Sequence, residues 1–60
     1  MYYVGDIVFI IENNRKVQKA EIVKVSYGFY TICILKTGAV LRVKEHRLYK
    51  TEDEAIKALL

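Results

Sequence analysis

The sequence predicts a mostly β domain in which five antiparallel strands roll into a small barrel and a short C-terminal α-helix packs on it. Three observations predict it. Runs rich in Val, Ile, Tyr, Phe and Thr alternate with turn residues at short, regular spacing. The connections are too short for crossovers, so neighbouring strands are antiparallel. The last ten residues abandon the two-residue period for a capped helical one.

The elements follow in order, separated by Gly5-Asp6, Asn13-Asn14, Tyr27-Gly28 and Thr37-Gly38. Strands are expected at about 6–12, 17–26, 29–36 and 39–44, with a short one at 47–50. In the third, Tyr30, Ile32 and Ile34 share the core face; in the fourth, Leu41 and Val43 face inward while Arg42 and Lys44 face solvent. The second strand changes phase, because Ala20 and Ile22 fall on one face and Val23 and Val25 on the other. A β-bulge reconciles the two, and a bent long strand is what a small barrel needs to turn its sheet.

The helix is expected at about 52–60. Thr51-Glu52-Asp53-Glu54 matches a capping box, with the Thr51 hydroxyl accepting from the Glu54 amide and the Glu54 carboxylate reaching back to the Thr51 amide. Three acids in the first turn oppose the helix dipole. Ala55, Ile56, Leu59 and Leu60 make an apolar face, and so short a helix must dock to be stable.

Sixty residues limit the chain to a single domain, 1–60, that buries only about 60% of its unfolded surface. With 53% apolar residues, a core this small leaves apolar surface exposed, which points to a protein partner or a homo-oligomer. Cys33 is the only cysteine, so no internal disulfide forms and a reducing, cytoplasmic setting is expected. The N-terminus carries no signal-peptide pattern, and no apolar run approaches the ~20 residues of a membrane span, so no membrane role is expected.

Net charge is only +3, but its distribution is uneven. Lys36, Arg42, Lys44, Arg47 and Lys50 face one acid, Glu45, over 36–50, whereas the tail from Thr51 carries three acids and one base. That basic stretch is the candidate polyanion-binding surface, since a strand face of cations beside aromatics can follow a phosphate backbone. Its structural reading is a solvated outer face that protects a strand edge. Tyr2, Tyr3, Tyr27 and Phe29 are the candidate aromatic contact cluster, because they precede the first strand or flank the Gly28 turn. The structural reading of the aromatics puts Phe9, Tyr30 and Tyr49 in the core and leaves the other four to cover the barrel ends.

Catalytic signals are nearly absent. His46 stands alone, Cys33 lies within an apolar strand, and the acids at 52–54 serve the helix cap. Neither an enzyme, a small-molecule substrate, a cofactor nor a metal site is expected.

Five short strands with tight turns and a terminal helix describe an SH3-like small barrel. The segment GDIVFI (5–10), followed by KAEIVKV (19–25), resembles the opening hairpin of KOW and Tudor type modules, where a Gly-Asp turn starts the barrel. Asn13, Asn14, Arg15 and Lys16 stand where that pattern usually has Gly. The stretch HRLYKTEDEA (46–55) resembles the close of small uncharacterised bacterial or phage barrel proteins. The resemblance covers about half the chain. High apolar content on a small barrel, whose open edge strand could add to a neighbour's sheet, gives the expectation of a non-enzymatic protein-interaction module that self-associates or joins a larger assembly, and the alternative is a nucleic-acid-binding accessory module using the basic strand face.

Overall fold

A computed structural model describes all residues, 1–60. The chain forms β1 (Ile7–Glu12), β2 (Lys16–Ser26), β3 (Phe29–Ile34), β4 (Val40–Lys44), a 3-10 turn (Glu45–Arg47), β5 (Leu48–Tyr49) and α1 (Glu52–Leu59). The strands make one antiparallel sheet in the order β4-β3-β2-β1-β5.

Turn chemistry sets the hairpins. Asn13 and Asn14 both take left-handed backbone, with φ of 57° and 56°, and Arg15 N–H donates to Glu12 O at 3.2 Å. Asparagine tolerates that region better than any residue but glycine, so the pair closes the first hairpin without one. Gly28, at φ 71°, turns β2 into β3. After Ile34, the Gly38 amide donates to Ile34 O and the Ile34 amide to Ala39 O, so Leu35 and Lys36 enter a turn rather than extending β3. The expected strand at 47–50 shrinks to two residues because Arg47 is in the 3-10 turn, where the Leu48 amide donates to Glu45 O.

β2 carries the bulge. Ile22 pairs with Ile32 and Lys24 with Thr31, so Val23 is the extra residue. Its insertion returns Val25, opposite Tyr30, to the face of Ile22, so the expected bulge reconciles the phase break between Ile22 and Val23.

The core lies on the concave face. Val8, Ile10, Ala20, Ile22, Tyr30, Ile32, Ile34, Val43 and Leu48 form one buried cluster, with Tyr2 and Leu41 packed against it. Of the three aromatics expected in the core only Tyr30 is there: Phe9 and Tyr49 pair with each other, half-buried, on the opposite face, because each alternates with a core residue, Ile10 or Leu48, along its strand. Connectivity shows how far the sheet bends. Lys44 aligns with Phe29 and Ser26, while Leu48 aligns with Ile10 and Gln18. In a flat sheet four strand spacings of about 4.8 Å and eight residues along β2 would separate them by ~32 Å. Four Cα steps span at most ~15 Å. The sheet therefore curls until its two edge strands approach, but β4 and β5 do not pair and the sheet is not closed.

α1 packs on β1, β2 and β5 with Ala55 fully buried. Thr51 Oγ1 accepts from the Glu54 amide at 3.2 Å, as the capping box requires. The reciprocal bond differs from expectation, since Glu54 Oε1 accepts from the Lys50 amide at 3.3 Å. The helix ends at Leu59, and Leu60, its C-cap, is exposed, so the buried stripe is narrower than the four-residue apolar face expected. No helix is long and apolar enough to cross a membrane.

Candidate binding site

The structure gathers aromatics at one end of the sheet. The N-terminal residues, the end of β2 and the Tyr27-Gly28 turn enclose an open groove of about 990 Å³, lined mainly by Tyr2, Tyr3, Val4, Val25, Tyr27 and Tyr30. Tyr27 at the turn tip is fully exposed, Tyr3 is 67% exposed and Val25 45%. The Gly5 amide donates to Ile22 O and the Ile22 amide to Asp6 O, which ties this leading segment to β2 at the bulge. The Asp6 carboxylate accepts from the Tyr3 amide at 2.8 Å. Sequence and bulge together thus build the groove wall.

Glu45 lines the groove beside Tyr30. The Tyr30 hydroxyl donates to Glu45 Oε1 at 3.2 Å and accepts from the Tyr2 amide at 3.4 Å, and the Tyr2 and Tyr30 rings meet edge to face with centroids 5.6 Å apart. Glu45 Oε2 lies 3.3 Å from the Met1 amino group, the one ion pair in the molecule. Burial, then the negative charges of Glu45 and Glu54, with smaller effects of Tyr30 and Asp6, raise the Tyr2 phenol above its ordinary value of 10.0.

Of the expected aromatic cluster, Tyr2, Tyr3 and Tyr27 meet here and Phe29 does not. Phe29 begins β3 on the convex face, where the Arg42 guanidinium lies 4.3 Å and the Lys44 ammonium 5.6 Å from its ring centroid. Pairing explains the grouping, because Phe29 is opposite Lys44 and Thr31 is opposite Arg42, with Lys24 beyond Thr31 on β2. No carboxylate pairs with Arg42, Lys44 or Lys24.

The expected five-residue basic stripe is divided. Arg42 and Lys44 share the β4 face, Lys36 sits in the turn after β3, and Lys50 precedes α1. Arg47 extends to the far end of β1, donating to Ile11 O at 3.3 Å. The cause is the 3-10 turn, which carries the chain from one edge of the sheet to the other. Sequence reasoning missed Lys24, Val25 and the polar role of Tyr30. The first two become visible once the bulge is given a register, whereas nothing local ties Glu45 to Tyr30.

His46 and Arg47 line a smaller cleft of about 330 Å³ with Ile11, Asn14, Tyr49 and Ala58. No group of three or more His, Cys, Asp or Glu side chains is placed to hold a metal ion. No protein-family model matches the chain, and comparison with curated proteins and with solved structures finds no match either.

Proposed function

We propose that this chain is a non-enzymatic protein-interaction module built on an SH3-like barrel, self-associating through its tyrosine-lined groove. The observation that carries the reading is the groove itself. In 60 residues, where apolar burial is scarce, Tyr3, Val4, Val25 and Tyr27 are left facing solvent around one concavity. Exposed aromatic and aliphatic side chains around a groove gain most when a partner covers them. The barrel assignment is supported by the strand order, the bulged β2 and the three-residue link between edge strands. Kinship with KOW and Tudor type modules rests on the GDIVFI and KAEIVKV stretches, and the free thiol Cys33 supports a reducing, cytoplasmic location.

Light scattering at high micromolar concentration tests the function: the mass should exceed the monomer's 7.0 kDa, persist in added salt, and return to monomer in Tyr27→Asp. A monomer at millimolar concentration refutes self-association. It shifts weight to a second reading, a nucleic-acid-binding accessory module, which the placement of Phe29 between Arg42 and Lys44 favours. Retention on heparin that collapses with moderate salt marks that alternative.

A further inference from the structure

We propose that the open edge of β4 receives an extended partner segment alternating acidic and apolar residues, which adds to the sheet as a sixth strand. This rests on the binding-module reading but uses a different surface from the groove.

Backbone geometry supplies the first half. β4 ends the strand order, with a partner only on the β3 side. The Ile34 amide donates to Ala39 O at 2.8 Å, making Ile34 and Ala39 a hydrogen-bonded pair. Antiparallel ladders alternate, so Leu41 opposite Ile32 and Val43 opposite Tyr30 also direct their backbone groups into the sheet. Val40 and Arg42 direct both their amide and carbonyl toward the open edge, and Lys44 its amide, its carbonyl being taken by the 3-10 turn that it caps. Those groups can bond an added strand.

Charge supplies the second half. The residues presenting free backbone groups are those whose side chains stand on the convex face, and two of the three are cations without a carboxylate partner. An incoming strand sets directly opposed residues on the same face, so acids two apart would meet Arg42 and Lys44. The residue between those acids falls on the concave side, beside Leu41 and Val43, where an apolar side chain fits.

A second copy is the wrong occupant. Full antiparallel overlap of β4 with itself puts Arg42 opposite Arg42, a destabilising like-charge pair. The chain's own acids two apart, Glu52 and Glu54, are committed to α1. The cations also suit a short peptide better than nucleic acid, because Arg47 and Lys50 lie elsewhere and few charges remain to follow a phosphate backbone.

The probe is acetyl-Thr-Glu-Val-Glu-Val-Thr-amide titrated into the full chain, followed by amide hydrogen exchange. At saturation the Val40, Arg42 and Lys44 amides should gain at least about tenfold protection, while those of Leu41 and Val43, already bonded, change little. A peptide with Lys in place of Glu, or one N-methylated at the bonding positions, should not bind. The double variant R42E/K44E, its fold checked by amide dispersion, should lose at least about tenfold in affinity for the Glu peptide and accept the Lys peptide. Three results overturn the proposal: peptide binding without protection at Val40, Arg42 and Lys44; equal binding of the N-methylated peptide; or oligo(dT) outcompeting the Glu peptide at this face. Amides of Val25 and Tyr27 report the groove separately, so failure here is distinguishable from failure of self-association.

Discussion

Ile32→Ala should remove much of the stability of this domain. Ile32 is 0% exposed at the centre of β3, between Ile22 on β2 and Leu41 on β4 and flanked on its own strand by Tyr30 and Ile34. Truncating a buried isoleucine removes its transfer free energy and leaves a cavity, costing about 2–5 kcal/mol. Relaxation should be small, because the neighbours are held by strand pairing on both sides. A 60-residue domain at roughly 0.05–0.15 kcal/mol per residue holds only about 3–9 kcal/mol in all. In urea, with a slope near 1 kcal/mol/M, the midpoint should fall by about 2 M or more, or the variant should be unfolded from the start. Ile32→Val provides the graded control at about 1 kcal/mol. Leu35→Ala, at a residue 47% exposed in the turn after β3, should cost under about 1 kcal/mol. An Ile32→Ala loss no greater than that of Leu35→Ala would refute a single core on the concave face.

Two further outcomes follow from the ends of the chain. Thr51→Ala removes the hydroxyl that accepts from the Glu54 amide and should cost about 1 kcal/mol in chemical denaturation, with Thr51→Ser retaining most of the stability. Tyr2 supplies a pH dependence: its phenol keeps its proton to higher pH in the folded chain than in the unfolded one, so its contribution is whole below about pH 10 and is lost as pH rises from there through the raised folded value. Denaturation midpoints measured from pH 8 to 11 should therefore fall less steeply in Tyr2→Phe than in the parent, and identical slopes would show that Tyr2 is not linked to folding.

Local chemistry made most of the architecture legible. The two-residue alternation of Tyr30, Ile32 and Ile34, the glycine and asparagine turns, and the Thr51 cap each depend on neighbours within a few residues, so the sequence carries them directly. The phase break at Ile22 and Val23 even marked the bulge. Its consequence was not local. One inserted residue changes which side chains share a face beyond it, and that register, with the curl it permits, brought Val25 beside the tyrosines and Lys24 into line with Thr31 and Arg42. Likewise Lys44 and Arg47 are three apart in sequence, yet a single 3-10 turn sends them to opposite edges of the sheet. Composition and periodicity thus determined the strands, the turns and the helix start. The groove, the Phe29 cluster and the free edge of β4 were decided by long-range pairing, because proximity across a curled sheet depends on register between distant segments and not on spacing along the chain.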